Sequence, residues 1–258
     1  MSRDPAGELE FAISLADLAD ATTLQPFHDR DFNVDWKANR TEVTELDRRT
    51  EEVLASTIAR YRPEDTVYGE EFGLREGGSK WTWVLDPIDG TSNYTRGVPV
   101  WATLIALLDP NDEPVLGVVS APALGARWHA AVGNGAANKR GRIHVSTIAR
   151  IDEAQVSLTP NAGWDAIGGY DRLIELQRAA YRARGFGDFW QHMLVAEGAI
   201  DAAVDAIGLE PYDTAALWPI VREAGGTITD RTGSSSFRNG SAVSSNGLLH
   251  AAVVGYTA

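Results

Sequence analysis

The chain has 258 residues, of which 44% are hydrophobic and 23% are charged. This length suits one large domain or two lobes, and this composition excludes a chain that is disordered throughout. The 36 acidic residues outnumber the 23 basic ones, and the formal net charge of −13 argues against nucleic acid or an anionic membrane surface as a partner. The absence of cysteine excludes disulfide scaffolds, cysteine nucleophiles and iron–sulfur clusters. An anionic substrate would therefore have to be attracted by something other than the overall charge.

The N-terminal segment and the apolar stretches predict a protein that stays outside the membrane. Residues 1–11 carry several charged side chains and no apolar core, so we expect no signal peptide. The longest nearly apolar stretch, Val98–Leu108, has about half of the ~20 residues that a membrane span requires. We expect a cytoplasmic location, which also agrees with the lack of cysteine.

The first half of the chain predicts helices followed by antiparallel strands. Phe11, Leu15 and Leu18 follow one another at helical spacing, which predicts a helix from Glu8 to about Gln25. Thr44 is a suitable N-cap for a second helix that continues to about Tyr61. Strands are predicted at Thr66–Tyr68, Trp81–Leu85, Thr103–Leu108, Val115–Ser120 and Arg127–Val132.

From about residue 150 the pattern changes to alternating strands and helices, which favours an α/β arrangement. Strands are predicted near Val156 and at Ala202–Val204 and Thr227–Thr229, and helices at about Tyr170–Tyr181, Asp188–Glu197 and Asp213–Glu223. We therefore predict an N-terminal α+β lobe over residues 1–150 and a C-terminal α/β lobe over residues 151–258, which together form one compact catalytic unit.

The strongest chemical signal is the segment Asp86–Thr91, which follows a hydrophobic strand. Its two aspartates flank a proline that restricts the backbone, so that both carboxylates and the Ile88 carbonyl can converge on one point. Hard oxygen ligands of this kind suit Mg²⁺. Gly90, Thr91 and Ser92 then open a candidate helix whose amide groups could bind phosphate. The alternative is that Asp86 merely ends a strand and that Asp89 stabilises a turn.

Three further acidic segments supply candidate ligands. Glu70 and its acidic neighbour follow a short strand, Asp213 opens a predicted helix, and Asp47 lies in the first turn after Thr44. Each has an ordinary alternative: a solvated surface pair for Glu70, an N-cap for Asp213, and a partner of the helix dipole for Asp47.

Taken together, these segments resemble the inositol monophosphatase family of Mg²⁺-dependent, lithium-sensitive phosphomonoesterases. The resemblance covers essentially the whole chain and implies a layered αβαβα sandwich of mixed α+β and α/β character, usually dimeric. The residues that carry it, in the order and spacing of the family, are Val43–Asp47, Gly69–Glu71, Asp86–Thr91 and Asp213–Ala216.

Within that family the chain is most similar to the bacterial histidinol-phosphate phosphatases. The similarity implies the hydrolysis of a small phosphomonoester, L-histidinol phosphate, in histidine biosynthesis; inositol 1-phosphate or another sugar or nucleotide phosphate is the alternative substrate. The residues that carry it are Arg96–Trp101, Gly187–Phe189, Val195–Asp201 and Leu209–Asp213.

The resemblance also implies roles for individual residues. Two or three Mg²⁺ ions would be bound, with Mn²⁺ as a substitute and Li⁺ as an inhibitor, by Glu70, Asp86, the Ile88 carbonyl, Asp89 and Asp213. Asp47 and Thr91, with Glu70, would activate the attacking water. Asp89, Gly90, Thr91 and Ser92 would bind the phosphate.

Four polar residues of the C-terminal lobe are candidates for contact with the leaving group, because acidic walls suit the ammonium and imidazole of histidinol. They are Asp188, Glu197, Asp205 and Asn246. The alternatives are an N-cap for Asp188, a solvated helix position for Glu197 and a turn for Asn246. The five histidines show no metal-ligand spacing, so we expect structural roles for them.

Two other classes of protein remain open at this point. A haloacid-dehalogenase-type phosphatase uses a similar acidic string, with Asp86 as a covalent nucleophile, but its two aspartates stand two residues apart and here they stand three apart. A non-catalytic protein that only binds a partner would be expected to have lost a metal carboxylate.

Overall fold

The computed structural model describes residues 3–36 and 42–258. Its helices are α1 (Pro5–Asp29), α2 (Glu45–Tyr61), α3 (Thr91–Arg96), α4 (Ala162–Ala166), α5 (Tyr170–Ala179), α6 (Asp188–Ala196), α7 (Pro211–Thr214), α8 (Leu217–Glu223) and α9 (His250–Thr257). The strands are β1 (Val34–Trp36), β2 (Glu42–Thr44), β3 (Thr66–Gly69), β4 (Gly73–Arg75), β5 (Thr82–Asp89), β6 (Ala102–Leu108), β7 (Pro114–Ala121), β8 (Ala126–Ala131), β9 (Ala136–Asn138), β10 (Gly141–Arg142), β11 (Gln155–Leu158), β12 (Arg182–Arg184), β13 (Ala202–Val204), β14 (Thr227–Thr229) and β15 (Val243–Ser245).

These strands form two sheets and a short ribbon. The larger sheet has the order β10-β9-β8-β7-β6-β5-β3-β4 and is antiparallel except where β3 pairs with β5. The smaller sheet has the order β12-β11-β13-β15-β14, with parallel pairs on both sides of β11. β1 and β2 pair as a separate antiparallel ribbon.

The helices fill three layers around the two sheets. One face of the larger sheet packs against α1 and α2, and its other face packs against α6 and α8. The smaller sheet packs against α6 on one side, and on its other side it meets residues of α4, α5 and α9. The predicted αβαβα sandwich is thereby confirmed.

The predicted elements are mostly present, with two differences in the helices. Leu18 is 39% exposed, because the buried face of α1 is made mainly of small residues such as Ala12, Ala16 and Ala19. The predicted helix Asp213–Glu223 is divided into α7 and α8. The backbone between them approaches β7 so closely that a Cβ at Gly117 would overlap the carbonyl group of Ala216, which explains the glycine there.

Candidate active site

A β-bulge in β5 brings Asp86 and Asp89 to the same side of the strand. Asp86 pairs with Leu104 and Asp89 pairs with Ala102, so β5 has one more residue than β6 between these two pairs. In a regular strand, residues three apart would point to opposite faces. The Thr103 hydroxyl donates to the Pro87 carbonyl at 2.8 Å and fixes the bulge.

Asp213 of α7 completes a cluster of three carboxylates. One oxygen of each of Asp86, Asp89 and Asp213 lies within 4.8 Å of the others. Asp213 is held there because its Oδ2 accepts the backbone N–H of Glu210 at 2.7 Å. Asp213 was predicted to open a helix, and Glu210 is instead the N-cap of α7.

The electrostatics of this cluster suit a cation. Burial raises the pKa of Asp86 and of Asp89 well above the ordinary range, and neighbouring carboxylates, among them Glu70 for Asp86 and Asp188 for Asp89, raise both further. Burial raises the pKa of Asp213 to about 7, although its hydrogen bond from Glu210 acts in the opposite direction. Oδ1 of Asp86 is buried and has no hydrogen-bond partner among the described residues. Since hard oxygen ligands are those that Mg²⁺ prefers, this donor set fits such an ion.

Asp47 and Thr91 form the predicted pair beside the cluster. Asp47 lies in the first turn of α2, where its Oδ2 accepts both the backbone N–H and the hydroxyl of Thr44. Oδ1 of Asp47 lies 3.2 Å from the Thr91 hydroxyl, which is also 2.9 Å from the Ile88 carbonyl. Burial raises the pKa of Asp47 to about 6, and the charges of Glu70 and Glu71 add to this effect.

Thr91 and Ser92 form the first turn of α3, the six-residue helix that leaves the bulge. The N–H groups of a first turn have no carbonyl partner within their own helix, so they can face an anion. Gly90 precedes them with φ of +80°, and a Cβ at Gly90 would lie 3.1 Å from the Val100 carbonyl oxygen. The carbonyl of Gly90 accepts the N–H groups of Asn93 and Tyr94.

Glu51, which is not among the residues predicted from the sequence, organises the segment that carries Glu70. It lies one helical turn after Asp47, is 1% exposed, and accepts the N–H groups of Glu71 and Phe72 at 2.7 and 3.0 Å. A Cβ at Gly69 would overlap the Glu51 carboxylate, so the Gly-Glu-Glu motif requires this glycine. The four-residue spacing of Glu51 from Asp47 predicts that both side chains lie on the same face of α2, but not that Glu51 is buried.

Asp188 lies against the cluster at the start of α6. Its Oδ2 is 3.2 Å from the Asn93 side-chain amide, and the next backbone N–H, of Phe189, donates to Asp89 at 3.0 Å. Asp188 has φ of +48°, a conformation that few non-glycine residues adopt. Burial, and then the charge of Asp205, raise the pKa of Asp188 to about 6.

Asp205 lies behind Asp188, and its carboxylate is engaged with protein groups. Its Oδ2 is 3.0 Å from Nε2 of His192, and its Oδ1 accepts the Thr159 hydroxyl at 3.1 Å and the Ala206 N–H at 2.7 Å. His192 is fully buried and its Nδ1 is 2.8 Å from the Ser244 hydroxyl, in line with the structural role expected for the histidines.

Glu197, a predicted contact of the leaving group, lies away from the carboxylate cluster. Glu197 follows the last residue of α6, about 14 Å along the helix axis from Asp188 at 1.5 Å per residue. Its carboxylate accepts hydrogen bonds from Trp128, Asn138 and Arg140. The sequence predicts that Asp188 and Glu197 lie on one helix, but it does not show which end of that helix faces the site.

Asn246, the other predicted contact of the leaving group, also lies away from Asp205 and the carboxylate cluster. Its backbone N–H donates to Asp201, at the end of β13 opposite to Asp205, so about 13 Å of strand separates the two positions. The side chain of Asn246 donates to Ser146 and to Ile148 and accepts from Leu249. Asn246 therefore connects the loop of Ser146 and Ile148 to the start of α9, at the end of the strands opposite to Asp205.

Comparison with known proteins gives the class of this chain. Residues 5–257 match the inositol monophosphatase family, and the chain belongs to that family. None of the helices in the described part of the chain combines the length and apolar character that a bilayer crossing requires.

Individual relatives are similar over nearly their whole length. The chain is 44% identical to a histidinol-phosphatase of Streptomyces coelicolor, over 98% of this chain and 97% of that protein. It is 46% identical to a histidinol-phosphatase of Mycobacterium tuberculosis, over 97% and 96% of the two chains. Among solved structures, an IMPase of Thermotoga maritima has a TM-score of 0.87 at 30% identity, over 97% of this chain and 96% of that one.

Proposed function

We propose that this chain is a Mg²⁺-dependent phosphomonoesterase that hydrolyses L-histidinol phosphate to L-histidinol and phosphate. The observation that carries the proposal is the cluster of Asp86, Asp89 and Asp213 around one point, next to the first turn of α3. The relatives named histidinol-phosphatase support the choice of substrate.

The metal site would be formed by Glu70, Asp86, the Ile88 carbonyl, Asp89 and Asp213. When bound, two or three Mg²⁺ ions would neutralise these carboxylates, lower the pKa of a bound water and stabilise the leaving oxygen. The first-turn N–H groups of Thr91 and Ser92 would bind the phosphate oxygens.

Thr91 would orient the attacking water, and Asp47 would receive its proton. The Thr91 hydroxyl can donate to only one of its two neighbours, Asp47 Oδ1 and the Ile88 carbonyl. If the Ile88 carbonyl bound a cation, the Thr91 hydroxyl would donate its hydrogen bond to Asp47. Burial raises the pKa of Asp47, so its carboxylate could accept a proton more readily than that of an ordinary aspartate.

The charge balance of the site favours a cationic leaving group. The carboxylates of Glu70, Asp86, Asp89 and Asp213 would be offset by two divalent ions, and the phosphate dianion and Asp188 would then add further negative charge. The ammonium group of histidinol would complement Asp188. The Oδ2 atom of Asp188 lies close to Gly90, 3.5 Å from the point that a Cβ on Gly90 would occupy. Asp205, engaged with His192, would contribute to this wall through its charge.

We further propose that Mn²⁺ can replace Mg²⁺, that Li⁺ inhibits the reaction, and that the protein is a cytoplasmic homodimer with the lobes 1–150 and 151–258. These statements rest on the family, and the carboxylate cluster supports the divalent ion.

Phosphate release from a panel of substrates tests the proposal. The panel is histidinol phosphate, inositol 1-phosphate, fructose 1,6-bisphosphate and adenosine 3′,5′-bisphosphate, each with and without Mg²⁺. We expect Mg²⁺-dependent release with at least a tenfold preference, about 1.4 kcal/mol, for histidinol phosphate. Asp188→Asn should reduce this preference, whereas Asp165→Asn, at an exposed position of α4, should not. Equal rates on all four substrates would refute the substrate, and metal-independent release would refute the reaction class.

A further inference from the structure

Helix α3 has only six residues, although it carries Thr91 and the first-turn N–H groups at the candidate site. A helix this short is not stable by itself in water, because nucleation costs more than so few hydrogen bonds return. Its position must therefore be fixed by contacts at its C-terminal end as well as by the bulge at its start.

The side chain of Arg30 supplies such contacts. Its guanidinium donates to three successive carbonyls of the last turn of α3, those of Tyr94 at 3.5 Å, Thr95 at 3.2 Å and Arg96 at 3.0 Å. Carbonyls at a helix C-terminus lack partners within the helix, and a cation there also complements the helix dipole. Arg30 thus supplies partners for the Thr95 and Arg96 carbonyls, whereas the Tyr94 carbonyl also accepts the N–H of Gly97.

The backbone on both sides of this contact has unusual conformations that permit it. Arg30 ends α1 in the left-handed region, with φ of +57°, and its N–H donates to the Pro26 carbonyl. Gly97 ends α3 with φ of +72°, and a Cβ at that position would lie 2.5 Å from the guanidinium carbon of Arg30. The space beside α3 is therefore open only because residue 97 is glycine.

An aromatic cluster beneath α3 connects the end of α1 to the same helix. Phe27, Tyr94 and Trp101 are buried with ring centroids 4.9 to 5.3 Å apart, and the Tyr94 hydroxyl donates to the Thr23 carbonyl at 2.8 Å. The same cluster includes the side chains of two residues within the site segments, Leu46 and Ile88. The end of α1 is thus a rigid support to which Arg30 can attach α3.

We propose that Arg30 is a positioning residue for the phosphatase reaction, which rests on the proposed function. By holding the last turn of α3, Arg30 keeps the Thr91 hydroxyl within reach of Asp47 and keeps the first-turn N–H groups directed at the phosphate. Arg30 touches neither the substrate nor the cluster of carboxylates. Its effect on the reaction therefore passes through Thr91 and its neighbours.

Steady-state kinetics of Arg30→Ala, Arg30→Lys and the control Arg178→Ala test this role. Arg178 is an exposed arginine in the last turn of α5. We expect Arg30→Ala to lower kcat about tenfold, because small displacements of reacting groups have large effects, with KM changed less than about threefold. Since Arg30 is exposed, the melting temperature of the Arg30→Ala protein should fall by no more than about 3 °C. Arg30→Lys should retain an intermediate kcat, and Arg178→Ala should match the unmodified protein.

Two additional measurements separate positioning from general stability. Guanidinium chloride at non-denaturing concentrations should raise the kcat of Arg30→Ala at least about threefold and leave the kcat of Arg178→Ala unchanged. In a Thr91→Val background, Arg30→Ala should lower the residual rate less than about twofold, since coupled residues are not additive. An unchanged kcat in Arg30→Ala, or the same loss in both backgrounds, would overturn the positioning role alone. A lack of Mg²⁺-dependent phosphate release by the unmodified protein would refute the proposed function, and the role of Arg30 with it.

Discussion

Neutralising Asp213 should stabilise the metal-free protein while it abolishes the metal-dependent activity. In the absence of a cation, the cluster of Asp86, Asp89 and Asp213 holds one buried and two half-buried carboxyl groups in a mutually repulsive arrangement. Asp213→Asn removes one of these charges, and the amide oxygen can still accept the N–H of Glu210. The substitution therefore removes repulsion without removing the helix cap.

The pKa of Asp213 sets the size and the pH range of the effect. The carboxyl group titrates at an ordinary value of 3.8 when exposed and at about 7 in the folded protein. Between these values the folded state binds more protons than the unfolded state, so the stability falls as the pH rises and the loss is complete above pH 7. The difference corresponds to at most about 4 kcal/mol. Because the neighbouring carboxyls share protons, we expect about 2 kcal/mol for Asp213→Asn at pH 8, or roughly 4–8 °C in melting temperature.

Thermal unfolding at pH 5 and pH 8, in EDTA and in Mg²⁺, measures this effect. The unmodified protein in EDTA should melt at a lower temperature at pH 8 than at pH 5, and Mg²⁺ should reduce the difference. Asp213→Asn should raise the melting temperature in EDTA at pH 8 and weaken the response to Mg²⁺. Asp165→Asn, on the exposed side of α4, is the matched control and should do neither. If Asp213→Asn destabilises the metal-free protein at pH 8, the repulsion inferred for the cluster is wrong.

Substitutions at three other positions test separate parts of the site. Asp89→Asn should retain the circular dichroism spectrum but lower kcat at least ~10²-fold at saturating Mg²⁺, and near-normal turnover would contradict its role as a ligand. Thr91→Val should lower kcat about 10²-fold whereas Thr91→Ser should retain most of it, and equal activities would show that the hydroxyl is not needed. Gly69→Ala should cost about 1–3 kcal/mol in chemical denaturation because its methyl group would displace Glu51, whereas Gly255→Ala in α9, where a Cβ meets open space, should cost less.

The parts of the site that could be predicted from the sequence are those in which neighbours along the chain are also neighbours in space. Asp86, Asp89 and Thr91 lie in one bulge and the helix that follows it. Asp47 forms a capping box with Thr44, the N-cap predicted for α2. The strand was expected to end at Leu85, but β5 continues to Asp89 because the bulge preserves its pairing with β6.

The parts that could not be predicted depend on which end or face of an element meets another element. Glu197 and Asp188 belong to one predicted helix, yet the contact between Phe189 and Asp89 decides that the N-terminal end of α6 faces the site. Asn246 follows β15, a short strand of small residues that gives little periodic signal, and its antiparallel register places it on the far edge. In the sequence, Glu51 has the character of a surface residue of α2. Its burial results from the close approach of Gly69, which the sequence does not show.

The same arrangement explains how a chain with a net charge of −13 could accept an anionic substrate. Burial raises the pKa of Asp47, Asp86 and Asp213, so each of these carboxylates binds a proton more readily, and the cluster of Asp86, Asp89 and Asp213 could bind a cation instead. Binding of two divalent ions would relieve the repulsion and offset the charge of the four carboxylates near the start of α3. Stability, metal affinity and attraction of phosphate are then three consequences of one set of buried carboxylates. A substitution that stabilises the metal-free protein through this set should therefore reduce both metal affinity and turnover.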